Sequence, residues 1–274
     1  TERYVNYEPL GVILGVMPWN FPFWQVFRFA VPTLTAGNTI VVKHASNVPK
    51  CANSIQTIFE EAGFLKGCYQ NLPISSTEVA KIIANPIIKA VSLTGSEQAG
   101  IAVATEAGKH LKKCVLELGG NNAFIILEDA NLEKAVATAV NARMQNAGQS
   151  CIAAKRFLVH EPIHDAFVSQ FKAAVEKLKT GNPMDMETQI GPLARVDLAE
   201  ELEIQVKKSI EMGAKLRLGG NRKEAFFEPT ILTKVTPEMP VFKEETFGPV
   251  AAITSFKTLD EAISLSNQSD FGLG

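Results

Sequence analysis

The stretch Gln145-Asn146-Ala147-Gly148-Gln149-Ser150-Cys151 places a thiol just after a glycine-containing turn, between a helix expected over 131–147 and a strand expected over 155–160. A cysteine there is presented rather than packed, and the thiol needs less help than any other side chain to become a nucleophile near neutral pH. Cys51, Cys68 and Cys114 fall on element faces or ends and read as packing residues. With no C-x-x-C pair and no histidine at metal-ligand spacing, the four cysteines read as reduced thiols of a cytosolic protein without a metal centre. Ala153 stands two residues after Cys151, so no neighbouring thiol offers it a local disulfide.

A nucleophile needs partners. Glu117 closes an apolar strand just before Gly119-Gly120. It is either a solvated strand end or a general base whose pKa is raised by a largely apolar pocket. Asn20, in Pro18-Trp19-Asn20-Phe21-Pro22, is either a turn residue bonding its own backbone or a rigid amide donor suited to an oxyanion. Lys43, after Ile40-Val41-Val42, is either a snorkelling strand-end lysine or a cofactor ligand. Gly95-Ser96-Glu97-Gln98-Ala99-Gly100 resembles the start of a phosphate-binding loop, because a helix N-terminus attracts anions. Ile101 and Ala102 stand where a Walker A loop needs Lys and Ser/Thr, and no G-x-G-x-x-G occurs, so an ordinary strand-to-helix turn is the competing reading. His44, His110, His160 and His164 form no motif with a cysteine and read as surface or helix-end residues.

The elements that must hold these residues alternate. Strands are expected over 11–16, 39–43, 69–72, 88–94 and 114–118, with helices over 25–35, 49–63, 75–84 and 96–110 between them. This rhythm predicts a doubly wound α/β parallel sheet, whose ligands sit at the carboxyl ends of the strands, where Lys43, Thr94-Gly95-Ser96 and Glu117 fall. A second α/β unit begins at Gly119-Gly120, the best hinge candidate, with strand 123–127, helix 131–147, strand 155–160, helices 162–179 and 195–212, and strand 226–233. The division is therefore 1–118 and 119–274.

A chain of 274 residues, 46% hydrophobic and 20% charged, can bury a core and divide in this way. A formal charge of −2 and a sequence pI of about 6.1 give no general attraction for nucleic acid or anionic membrane. The partner expected is a small molecule. Between Pro9 and Gly37 the strongly polar side chains are Asn20, Gln25 and Arg28, but Pro18, Pro22 and Pro32 argue against a membrane-spanning helix. The start Thr1-Glu2-Arg3 carries neither an initiator Met nor a basic-then-apolar leader, which reads as a fragment of a longer chain.

Taken together, six motifs resemble those of the aldehyde dehydrogenase superfamily, in the family's order. They are Pro18-Trp19-Asn20-Phe21-Pro22, Lys43 after its strand, Leu93-Thr94-Gly95-Ser96, Leu116-Glu117-Leu118-Gly119-Gly120, Gly148-Gln149-Ser150-Cys151 and Glu245-Thr246-Phe247-Gly248-Pro249-Val250. The resemblance implies a variant Rossmann cofactor domain (1–118) followed by an α/β catalytic domain (119–274), both incomplete, from a homo-oligomeric protein. It implies Cys151 as nucleophile, Asn20 as oxyanion donor and Glu117 as base for the water that hydrolyses the thioester. It also implies that Trp19, Lys43, Ser46, Gly95 and Ser96 hold the adenosine and pyrophosphate of NADP or NAD, and that Glu245 and Phe247 position the nicotinamide ribose and ring.

Two departures sharpen this. Ser46 stands where strict NAD users of the family often carry a Glu that would repel a 2′-phosphate, so NADP is expected to be accepted. Arg28, eight residues after Asn20, and the run Lys43-His44-Ala45 are similar to the succinate-semialdehyde dehydrogenase group, whose Arg holds the distal carboxylate of the substrate. Phe21 is placed beside the same substrate. Taken alone Arg28 is a helix-surface charge, but its helix is otherwise almost wholly apolar and an unpaired buried Arg would be costly, which favours a ligand role. Against this, Gln145 stands where some members of that group carry a second Arg. The rivals are another aliphatic or aromatic aldehyde dehydrogenase, a catalytically silent binding protein of the same fold, and a hydrolase built on a Cys-His pair.

Overall fold

The structure, a computed structural model, describes residues 3–274; Thr1 and Glu2, the start of the expected first domain, lie outside the described residues. The chain divides into two compact units, one ending at Leu118 and one spanning Gly119–Gly274.

The first unit contains β1 (Val12–Met17), α1 (Pro22–Thr35), β2 (Thr39–His44), α2 (Pro49–Glu61), β3 (Tyr69–Asn71), α3 (Val79–Ala84), β4 (Ile88–Thr94), α4 (Glu97–Lys109) and β5 (Lys113–Glu117). Its strands pair in the order β3-β2-β1-β4-β5, all parallel. Buried strand residues such as Leu14, Ile40, Val42 and Leu93 explain the near-continuous apolar runs, because a parallel sheet is covered on both faces. One face packs through Val26, Ala30, Ile55 and Phe59, the other through Ile83, Val103 and Ala107. The order reverses between β1 and β4, the switch point at which such sheets bind ligands.

Helix α1 begins at Pro22, three residues earlier than expected, because proline suits the first helical position. It also runs through Pro32.

The second unit contains β6 (Asn122–Ile126), α5 (Leu132–Met144), β7 (Ala154–His160), α6 (His164–Val175), α7 (Val196–Glu211), β8 (Lys215–Leu218), β9 (Arg222–Lys223), β10 (Phe226–Phe227), β11 (Thr230–Thr233), α8 (Pro240–Lys243), β12 (Val250–Phe256) and α9 (Leu259–Asn267). Its main sheet has the order β6-β7-β12-β11-β8, with β8 antiparallel at one edge. The strand expected over 226–233 is two pieces: β10 pairs with β9 as a small hairpin, and β11 enters the main sheet. The helix expected over 131–147 stops at Met144. Asn146, Ala147 and Gly148 then adopt left-handed backbone conformations, with φ of 54°, 51° and 74°. Among the described residues no helix is long and apolar enough to cross a membrane.

Candidate active site

In the first unit the parallel register carries the candidate residues to one edge. Val16 of β1 lies beside Lys43 of β2 and Leu93 of β4, and Thr94 lies beside Glu117 of β5. The turn Trp19-Asn20-Phe21 follows β1 at that same carboxyl edge. Gly95 and Ser96 lead into α4, where the Ser96 hydroxyl accepts from the Ala99 N–H and caps the helix. Ser46 lies exposed on the turn after β2. Gly100 serves packing: a Cβ there would lie 2.6 Å from Leu118 Cδ2.

Arg28, weighed in the sequence as a helix-surface charge against a substrate ligand, is exposed but not unpaired. Its side chain is 41% exposed, it donates to Gln25 Oε1 at 2.9 Å, and it pairs with Glu117 Oε2 at 3.5 Å. Glu117, 35% exposed, therefore has a guanidinium beside it rather than a purely apolar wall. Both line a cavity of about 390 Å³ that also touches Phe29, Thr94 and Val115.

His44 is a second correction, being buried rather than at the surface. Its Nδ1 accepts from the Ala45 N–H at 2.8 Å, which leaves Nε2 to donate to the Pro22 carbonyl at 3.0 Å. Burial lowers its pKa below the ordinary histidine value, and nearby Lys43 adds to this against the Pro22 bond. The ring thus ties the end of β2 to the residue two after Asn20.

In the second unit, Cys151 follows the left-handed turn and is half-buried, with a free thiol. Two buried cations hold this loop. Arg143 donates to the carbonyls of Gly148 (2.6 Å), Ala154 (3.1 Å) and Thr246 (3.4 Å). Lys155 donates to the carbonyls of Gly120 and Cys151 and to Glu245 Oε1. Gly148 is needed twice over, by its φ and because a Cβ would lie 2.1 Å from the Gly248 carbonyl. Cβ atoms on Gly119 and Gly120 would lie 2.2 Å from Glu245 Oε2 and 2.5 Å from the Cys151 carbonyl, so this pair lets three segments meet. Gln149 fixes the turn further: its amide oxygen accepts from the Ala194 N–H at 2.9 Å, and its NH₂ donates to the Asn146 carbonyl at 3.1 Å. Gln145 stays exposed.

The histidines of this unit point elsewhere. His160 bonds the Lys257 carbonyl at 3.1 Å, and His164 bonds Asp165 at 2.9 Å. Neither forms the Cys-His pair that a hydrolase would need.

Two features suit a dinucleotide cofactor. Lys43 is 9% exposed, its ammonium makes no hydrogen bond or ion pair among the described residues, and burial lowers its pKa, so an anion or hydroxyl that reached it would meet a positive charge with no competing partner. Glu245 Oε1 accepts from both Lys155 and the Gly120 N–H, whereas Oε2 accepts no hydrogen bond among the described residues. That oxygen retains the capacity to accept from a hydroxyl.

The model of the aldehyde dehydrogenase family matches residues 1–274. The chain belongs to the aldehyde dehydrogenase family. It is 51% identical over 275 residues to a protein of Escherichia coli strain K12 named succinate semialdehyde dehydrogenase, NAD(P)+, covering 99% of this chain and 60% of that one. A Mycolicibacterium paratuberculosis protein named succinate-semialdehyde dehydrogenase, NADP(+), is 48% identical, with coverages of 100% and 58%. Among solved structures, succinic semialdehyde dehydrogenase from Streptococcus pyogenes in complex with NADP+ superposes with a TM-score of 0.94 at 40% identity, covering 97% of this chain and 59% of that one. The chain thus spans about 60% of the length of the curated relatives it matches.

Sequence reasoning missed Arg143, Lys155 and the burial of His44. A signal existed for Lys155: Lys155-Arg156 opens a strand that continues Phe157-Leu158-Val159, and charges inside a buried run must be bonded.

Proposed function

We propose that the protein containing this chain is an NAD(P)-dependent aldehyde dehydrogenase whose substrate is succinate semialdehyde. The observation that carries this reading is the collection of the Asn20 turn, Lys43, Gly95-Ser96 and Glu117 on the carboxyl edge of one five-stranded parallel sheet. The unit ending at Leu118 is read as part of the dinucleotide-binding domain and Gly119–Gly274 as part of the catalytic domain. A cytoplasmic, homo-oligomeric protein is part of this reading; the chain's four free thiols support the first.

In this mechanism the Cys151 thiolate attacks the aldehyde carbon. The C–S bond forms, and the carbonyl oxygen becomes an oxyanion received by the Asn20 amide and the Cys151 backbone N–H. A bound nicotinamide supplies the hydride acceptor. Glu117 takes a proton from the water that attacks the thioester, the C–S bond breaks, and Cys151 leaves as thiolate with release of the carboxylic acid. Trp19, Lys43, Ser46, Gly95 and Ser96 receive the adenosine and pyrophosphate, while Glu245 and Phe247 receive the nicotinamide ribose and ring. Arg28, with Phe21 nearby in sequence, receives the distal carboxylate, exchanging its contact with Glu117 for one with the substrate. The turn Ala45-Ser46-Asn47-Val48 offers no carboxylate against a 2′-phosphate, which supports use of NADP.

The test is steady-state turnover by the full-length protein with succinate semialdehyde and an uncharged aldehyde of similar length, each with NADP and NAD. The expected result is a rise in the reduced-nicotinamide band, higher efficiency with the charged aldehyde, and its loss in Cys151→Ser. Strong preference for NAD overturns the cofactor reading. An efficiency ratio between the two aldehydes that Arg28→Ala leaves unchanged overturns the substrate.

A further inference from the structure

Lys155 is the second residue of β7, and its side chain is fully buried. Moving an ammonium out of water is costly unless its protons find acceptors. Here three acceptors surround it: the Gly120 carbonyl, the Cys151 carbonyl at 2.9 Å and Glu245 Oε1 at 2.7 Å. An ammonium has three donors, so each is used. The Phe247 ring stands 5.9 Å away.

These acceptors are not a random sample of the core. One is the carbonyl of the proposed nucleophile itself. Another is the carboxylate read above as the ribose ligand, whose Oε1 is held by Lys155 and by the Gly120 N–H at 3.1 Å, so that Oε2 is the oxygen left over. The third belongs to the glycine whose missing side chain makes room for Cys151. Thus one cation fixes three segments distant in sequence, and two of them bear candidate site residues.

We propose that Lys155 is a positioning residue that ties the Cys151 backbone to the Glu245 carboxylate, so that nucleophile and cofactor ligand are held in a single arrangement. The proposal rests on the reading of Glu245 and Cys151 given under Proposed function. The charged and titratable groups facing Lys155 are Glu245, Arg143 and Cys151; burial outweighs the attraction of Glu245 and brings the lysine down to about 8. Above that pH the ammonium is lost and the hold on Glu245 weakens.

The experiment uses the full-length protein with Lys155→Met, Lys155→Arg, Glu245→Gln and the double variant Lys155→Met/Glu245→Gln. It reads NADPH dissociation by fluorescence and the rate of Cys151 alkylation by iodoacetamide. Lys155→Met and Glu245→Gln are each expected to weaken NADPH binding about tenfold, with the double variant no weaker than the worse single, because coupled residues are non-additive. Lys155→Met also changes the alkylation rate, and Lys155→Arg restores part of both readouts. Unchanged binding and alkylation in a folded Lys155→Met protein, or fully additive losses, overturn the proposal.

Should Glu245→Gln bind NADPH normally while Lys155→Met still alters alkylation, the ribose reading of Glu245 fails and the hold on Cys151 stands. If Lys155→Met does not fold, the wild-type affinity across pH 8 decides. It is expected to fall above about 8 in wild type and to lose that limb in Glu245→Gln, which separates Lys155 from Lys43. A pH profile that is the same in wild type and Glu245→Gln overturns the proposal.

Discussion

Among the described residues each unit holds an ion pair beside its candidate chemistry, and the two pairs are built differently. Arg28–Glu117 in the first unit is 3.5 Å long between side chains 41% and 35% exposed, on the wall of an open cavity. Lys155–Glu245 in the second is 2.7 Å long, with the lysine fully buried and the carboxylate 19% exposed. An exposed pair is screened and contributes little, so its members are free to exchange partners. A buried pair cannot be opened without stranding a charge, so it fixes geometry. The first unit therefore offers groups that can be reassigned to a ligand, while the second offers a frame that keeps a thiol and a carboxylate in place.

The contrast can be broken most forcefully at Arg143, the other buried cation of the second frame. Arg143→Met strands three carbonyls around the Cys151 loop, and we expect a loss of about 3–5 kcal/mol in chemical denaturation. A change below about 1 kcal/mol would show that the loop holds itself. Next in size is Gly120→Ala, whose methyl would meet the Cys151 carbonyl at 2.5 Å. Overpacking of this kind costs about 1–3 kcal/mol, and turnover should fall with it, because the strain is released through the nucleophile loop. Turnover at the wild-type level would detach that glycine from the site.

On the exposed side, Arg28→Ala should leave stability within about 1 kcal/mol of wild type. A larger loss would mean that the Arg28–Glu117 pair is structural and the contrast false.

The smallest effect expected is at His44. Its folded pKa lies below its ordinary value near 6.5, so the neutral ring contributes stability that is present above 6.5 and lost as pH falls through the lower folded value. The stability gap between wild type and His44→Gln should therefore narrow on acidification through that window. A gap that widens would show that the buried ring binds its proton more tightly than free histidine.

Much of the first unit was legible because parallel strands and covering helices write themselves as apolar runs and amphipathic repeats. Glycine and proline mark the ends, and β1–β5 appear within a few residues of expectation. The second unit was harder to read. Short β8, β9 and β10 carry little periodic signal, and the run into β12 reads first as a motif rather than a strand. Helix α5 overran in the reading because Gln145, Asn146 and Ala147 have no intrinsic objection to a helix. Arg143 bonding across to Gly148 and Ala154, Gln149 bonding to Asn146 and Ala194, and the close approach of Gly148 to Gly248 favour the left-handed turn.

By itself the sequence determined the residue types available for chemistry: one thiol behind a glycine turn, a carboxylate and an amide at strand ends, and a lysine after an apolar strand. Motif order also placed the chain in its family, because local spacing survives without coordinates. The tertiary structure decided which charges are neighbours. That Glu117 faces Arg28, that His44 is buried against Pro22, and that Lys155 joins Gly120, Cys151 and Glu245 depends on contacts between segments as many as 125 residues apart. No local pattern encodes such a contact, since an ion pair or hydrogen bond depends on distance in space and on exclusion of water, and both arise only once the sheets have formed.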